Sequence, residues 1–150
     1  MAKRFRFRLQ TLLEVRQLYE REAKRLVGEK SAEIARIDRL NRQTVDEITR
    51  QQDDLLRAQE SGSVDAVGLA RGRAWIAHLR KTIAARHTEK AARNEELGEL
   101  QAKLRDARTQ TRIIEKLRER RWDAHRRDTD RREQAESDEL ARQLLDFEQV

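Results

Sequence analysis

At 150 residues, with 41% of them charged and 4% aromatic, the chain has the length of one domain but too little apolar mass for an ordinary globular core. It has no cysteine, which excludes disulfides and thiolate chemistry, and no proline, the residue that most often interrupts helices. The net charge of +6 arises from 34 Lys and Arg interleaved with 28 Asp and Glu, the pattern of a solvated helix face laced with i to i+4 pairs. No apolar run reaches the length of a membrane span or a signal peptide, so a soluble, helical, intracellular chain is expected.

The first stretch, FRFRLQTLLEVRQLYE, permits three readings: an edge strand, a basic arm, or the opening turns of a helix. Leu9, Leu12, Arg16, Tyr19, Ala23 and Leu26 step by three and four. That spacing outlasts the brief alternation of Phe5-Arg6-Phe7-Arg8, so helix one is expected to begin at about residue 5. Phe5 and Phe7 would then pack on helix two near Arg120 to Ala124. The three-four steps resume with Ile34, Ile37, Asn41, Thr44, Ile48, Gln51 and Leu55, carrying helix one to about residue 60.

Three of the five glycines, Gly62, Gly68 and Gly72, then fall close together, and Ser61-Gly62-Ser63 centres a turn expected at about 61–65. Asp65 is placed to cap the next helix. Helix two is expected over about 66–147, with a stripe of Ile76, Leu79, Ile83, Leu97, Leu100, Leu104, Ala107, Thr111, Ile114 and Leu117.

Two long helices joined by a short turn fold back on each other. The expected fold is therefore all-α, a long antiparallel two-helix coiled coil forming one domain over 1–150, with an overhanging C-terminal helix end. With the bend at Gly62, residue i faces roughly residue 124 minus i. Leu55 then meets Leu69, Ile48 meets Ile76, Val45 meets Leu79, Val27 meets Leu97, and Leu12 lies near Ile113 and Ile114. Asn41 opposite Ile83 and Ile37 opposite His87 are polar interruptions of the kind that fix register. Helix one would be about 80 Å long and helix two about 120 Å at 1.5 Å per residue. Residues beyond about 120 are thus left without a partner in the chain, to fray or to enter another protein.

No catalytic constellation is visible. His78 and His87 are too far apart on a helix to share a metal, and His125 stands alone. The carboxylates of Glu95, Glu96 and Glu99, or of Asp128 and Asp130, lie on helices that offer no burial to shift a pKa. A non-enzymatic chain with no cofactor and no metal is expected. Trp75, Leu79, Thr82 and Arg86 form one line on helix two, with Val45, Ile48 and Gln52 across from it in the expected register. Trp and Arg there suit either a broadened seam or an anchor for a partner.

Three segments together resemble the flagellar FliJ protein family. These are FRFRLQTLLEVRQLYEREAKRLVGE near the start, RAWIAHLRKTI at 73–83, and EKLRERRWDAHRRDTDRREQAESDELA at 115–141. The resemblance covers nearly the whole chain in order and length. It implies a component of the flagellar type III export apparatus, folded as a two-helix coiled coil similar to the central stalk of rotary ATPases. The implied partners are the hexameric export ATPase, the cytoplasmic domain of the membrane export gate, and export chaperones. The implied location is the cytoplasm, peripherally at the inner face of the membrane and without insertion.

Carried over by position, the gate-facing residues would be Val45, Ile48, Gln52, Trp75, Leu79, Thr82 and Arg86. The resemblance also marks Phe5, Phe7, Arg8, Arg121, Trp122, Arg126, Arg132, Asp138, Glu139 and Leu140 as facing the ATPase ring. Ile48 and Gln52 stand where the family often has aromatics. Two rivals from other classes are a basic coiled coil that binds nucleic acid and a homodimeric scaffold. The hairpin reading expects no nucleic acid and a monomer in isolation, or at most a weak dimer.

Overall fold

A computed structural model describes residues 3–148. It contains two helices, α1 (Gln10–Glu60) and α2 (Ala66–Glu148), packed against each other as an antiparallel hairpin. The all-α hairpin expectation is met. Contacts divide the hairpin into two units. One is Glu22–Leu104, which contains the turn; the other joins Arg21 and the residues before it to Arg105 and the residues after it.

The turn is built by local chemistry. At the end of α1, Ser63 N–H donates to the Ala58 carbonyl (3.0 Å) and Gly62 N–H to that of Gln59 (3.2 Å). Gly62 has φ of 69°, so this is a Schellman closure, which glycine adopts without steric cost. Asp65 caps α2: its Oδ1 accepts from Gly68 N–H at 2.7 Å, satisfying one of the orphan donors of the first turn. Just beyond, α1 and α2 approach closely. A methyl group at Gly72 would lie 2.5 Å from Leu55 Cδ2, so the missing side chain makes room for the leucine.

In the turn-proximal unit, the apolar cluster is Ile48, Ile76 and Leu79, flanked by Leu55 and Ile83. Farther along the same unit the seam becomes polar. Asn41 and Thr44 are buried beside Ile37. Arg86 Nη1 crosses from α2 to donate to Thr44 Oγ1 (2.8 Å) and to the Leu40 carbonyl (3.3 Å). Lys90 pairs with Asp38 at 2.7 Å, and Lys30 with Glu96 at 2.7 Å. These cross-helix pairs, with Leu55 against Gly72, set residue i opposite about 127 minus i rather than 124 minus i. The bend therefore centres beyond Gly62, because Gly62 closes α1 and Asp65 opens α2, leaving Ser63 and Val64 between them. Ile48 and Ile76 still share one cluster, whereas Val45 is half exposed.

The terminal unit has its own small core of Leu13, Thr111 and Ile114, all buried. Arg16 and Gln110 are hydrogen-bonded across it, and Glu20 lies 3.7 Å from Arg108. Here the expected stripe is corrected. Leu13 is 4% exposed, whereas Leu12 is 39% and Tyr19 62%. The α1 seam repeats by sevens along two lines, from Ile48 back through Asn41, Ile34, Val27 and Glu20 to Leu13 and from Thr44 back through Ile37, Lys30 and Ala23 to Arg16, and Leu12 and Tyr19 fall on neither.

The start of α1 is corrected as well. The helix begins at Gln10, not at about residue 5, and residues 3–7 form an arm without regular structure. Gln10 N–H donates to the Phe7 carbonyl, marking the entry to the helix. Phe5 and Phe7 are half-buried while Arg4, Arg6 and Arg8 are exposed. Alternate burial places both rings on the hairpin and all three guanidinium groups in water, which a helical turn over 5–8 would not do.

Candidate protein-docking surfaces

The terminal unit gathers aromatic and basic side chains at one place. Phe5 meets Trp122 edge to face with ring centroids 5.1 Å apart, and it meets His125 at 5.5 Å. Trp122 and His125 stack one turn apart on α2, at 6.1 Å. His125 Nε2 lies 2.9 Å from the Lys3 carbonyl, tying the arm down. Phe5, Phe7, Leu9 and Leu117 line an open groove whose rim carries Arg6, Arg8 and Arg121. Trp122 remains 48% exposed despite these contacts. The sequence signalled the Phe5 contact but not the part of His125, which was legible only as the residue one turn after Trp122.

Beyond this collar α2 continues alone. Every described residue after Thr129 is exposed, including Leu140, Leu144, Leu145 and Phe147. Within this stretch, Arg132 pairs with Asp128 at 2.9 Å and Gln134 Nε2 donates to Asp138 Oδ1 at 3.1 Å. Such local pairs hold a solvated helix and bury little. Of the expected ring-facing residues, the structure brings Phe5, Phe7, Arg8, Arg121 and Trp122 together. Arg126, Arg132, Asp138, Glu139 and Leu140 follow on the exposed helix.

The expected gate-facing set is divided between the seam and its two flanks. Ile48 and Leu79 are buried against Ile76 in the seam, and Arg86 is held across it by Thr44 and Leu40. Val45 shares a groove with Ile83 and His87, on the flank that follows the seam positions Thr44 and Arg86. Trp75 precedes the seam residue Ile76 and so lies on the other flank, where its ring stacks on His78 at 5.4 Å. Thr82 accompanies it, donating its hydroxyl to the His78 carbonyl at 3.1 Å. Gln52 belongs with Val45, seven residues along α1. Antiparallel packing thus separates Val45 and Gln52 from Trp75 and Thr82, a consequence of register that a list of one helix's neighbours does not reveal.

Electrostatics along the hairpin come from ion pairs at its edges. The Lys30 ammonium is held above its usual range by hydrogen bonds to Glu96 and then Glu33. Glu96 is held below the carboxylate range chiefly by Lys30. Arg25 lowers Glu22 in the same way, and it is itself raised, chiefly by Glu22. Among the described residues no group of His, Asp and Glu is arranged to hold a metal ion, and no helix is long and apolar enough to cross a membrane.

The family model described as flagellar FliJ protein matches residues 5–146. Neither the curated proteins nor the solved structures contain a significant match to the chain.

Proposed function

The chain belongs to the flagellar FliJ protein family and is a component of the flagellar export apparatus, where we propose that it serves as a non-enzymatic docking subunit between the export ATPase and the membrane gate. The collar of Phe5, Phe7, Arg8, Arg121 and Trp122, with the exposed end of α2 beyond it, enters the hexameric ATPase in the manner of a stalk. One observation carries this reading: a helix end of some twenty exposed residues follows a half-exposed tryptophan that packs on Phe5, beside a groove lined by Arg6, Arg8 and Arg121. A lone helix gains little stability from such a thin apolar stripe, so a receptacle would supply what the chain does not. Trp and Arg are also the side chains most enriched where binding energy concentrates.

The turn-proximal unit then carries the gate contact, made by the flank of the exposed Trp75 and His78 with the half-buried Thr82. Val45 and Gln52 offer a separate, opposite flank, suited to a chaperone or to a second part of the gate. Ile48, Leu79 and Arg86 would act only by keeping the two helices in register. The protein works in the cytoplasm, peripherally at the inner face of the membrane.

The test is binding to the purified export ATPase by the full chain and by a chain lacking residues 122–150. Loss of binding on truncation is expected. The triple variant Arg121→Glu, Arg126→Glu, Arg132→Glu, which keeps the helix, should weaken binding at least tenfold. Undiminished binding by both would refute ring docking through this end.

A further inference from the structure

Charge is distributed unevenly within the terminal unit. Residues 3–8 and 116–132 carry twelve Lys and Arg against four Asp and Glu, a local charge of +8 that exceeds the whole chain's +6. Residues 133–148 carry six Asp and Glu against Arg142 alone, a charge of −5. A cationic collar is therefore followed on the same helix by an acidic tip.

The apolar residues are arranged in step with this division. Trp122, Arg126, Thr129, Glu133, Ser137, Leu140, Leu144 and Phe147 follow three- and four-residue steps and so share one face of α2. The aromatic and basic half of that face is Trp122 and Arg126; the leucine half is Leu140, Leu144 and Phe147. Trp122 is 48% exposed, Leu140 61% and Leu144 68%. The tip cannot fold back on its own collar, because α2 runs without a break to Glu148.

We propose that two copies of the chain associate through these ends, antiparallel, with the acidic leucine-bearing tip of each lying on the cationic Trp122-bearing collar of the other. Charge fixes the direction. Parallel pairing would set +8 against +8, whereas antiparallel pairing sets +8 against −5 twice, by a two-fold axis near residue 131. The same arrangement covers Leu140 and Leu144 with the partner's Trp122. The overlap is about 25 to 30 residues, or roughly 40 Å of helix, with few apolar contacts per turn. Such an interface is weak and depends strongly on salt, since exposed charges separated by more than about 10 Å are screened at 0.1 M.

This inference goes beyond the docking role and does not rest on it. Self-pairing would cover the same surface that is proposed to enter the ATPase, so the two associations would exclude each other.

Sedimentation velocity of the full chain over a concentration series, at low and at high salt, tests the proposal without any partner protein. A mass that rises toward that of a dimer at low salt and returns to the monomer at high salt is expected. Two charge-reversed variants sharpen it: a tip variant, Glu133→Lys, Glu136→Lys and Asp138→Lys, and a collar variant, Arg118→Glu, Arg126→Glu and Arg131→Glu. Each alone should associate more weakly than the wild type while keeping wild-type helicity by circular dichroism. An equimolar mixture of the two should associate more strongly than either variant alone, because the unaltered tip of the collar variant, at −5, again meets an unaltered collar of +8 on the tip variant. A wild-type chain that remains monomeric throughout the series at low salt would overturn the proposal. So would a wild-type dimer that both variants leave intact, or a mixture that associates no more strongly than either variant alone.

Discussion

Leu12 and Leu13 are neighbours in sequence with opposite fates. Leu13 is buried in the terminal seam and Leu12 faces water, because only Leu13 is in phase with the heptads that run down to Ile48. Replacing Leu13 by Ala should therefore cost about 2 kcal/mol, the low end for a buried leucine because a two-helix seam can close up around the gap. Replacing Leu12 should cost no more than about 0.5 kcal/mol, as at an ordinary surface position. Urea unfolding followed by circular dichroism compares the two directly. Asn41 poses the reverse case: it is 7% exposed, and neither its side-chain nitrogen nor its oxygen has a hydrogen-bond partner. Asn41→Leu should raise stability by about 1 kcal/mol in the same assay, since it removes a desolvated amide that returns nothing. A fall in stability would mean that the amide is satisfied in solution, for instance by water in the groove beside Val45.

The Lys30–Glu96 contact sets a pH dependence whose sign follows from both partners. Glu96 is held below the usual carboxylate range by Lys30, so the stability it contributes is present above about pH 4.3, its ordinary value, and is lost as the pH falls through the lower folded-state value. Lys30 is raised, so its contribution is present below about pH 10.4 and is lost as the pH rises through the raised value. Thermal midpoints should be level between these limits and fall on both sides, with Glu96→Gln flattening part of the acid limb. The effect is modest, because the Glu96 side chain is 45% exposed.

At the scale of elements, the turn was the most legible feature, because its determinants are local. Ser61-Gly62-Ser63 and Asp65 mark a helix stop and a helix start by their own chemistry, and both devices are present in the fold. Gly62→Ala should destabilise the hairpin by about 1 kcal/mol, since alanine pays for the left-handed φ that glycine adopts freely; thermal melts would detect it. Register was less legible. Counting from Gly62 missed by about three residues because the glycine lies inside the closure of α1, not midway between the helices. That small error moved Val45 from the seam to a flank and concealed the separation of Val45 and Gln52 from Trp75 and Thr82. The start of α1 was misread for another reason. The helical step continues upstream from Leu9 to Phe5, but Arg4, Arg6 and Arg8 alternate with Phe5 and Phe7, and anchoring the rings on the hairpin favours an extended run. Two-residue periodicity over so short a stretch has little weight in a sequence, yet a ready platform at Trp122 and His125 gives it a tertiary reason.

At the scale of the molecule, the two units carry different kinds of surface. The turn-proximal unit is held by a seam that is apolar beside the turn and ionic farther along, with Trp75 exposed on one flank. The terminal unit offers an aromatic collar of high positive charge and an unpaired acidic helix. A chain that only homodimerised would have no need of the first surface, and a nucleic-acid binder would have no need of an acidic tip beside its basic collar. Both surfaces suit a protein that contacts two partners at once within the export apparatus. The most direct measurement is photocross-linking in the native cell, with a benzophenone amino acid placed at Trp122 in one strain and at Trp75 in another. Position 122 should capture the export ATPase and position 75 the gate's cytoplasmic domain. Capture of the same partner from both positions, or the reverse assignment, would contradict the account.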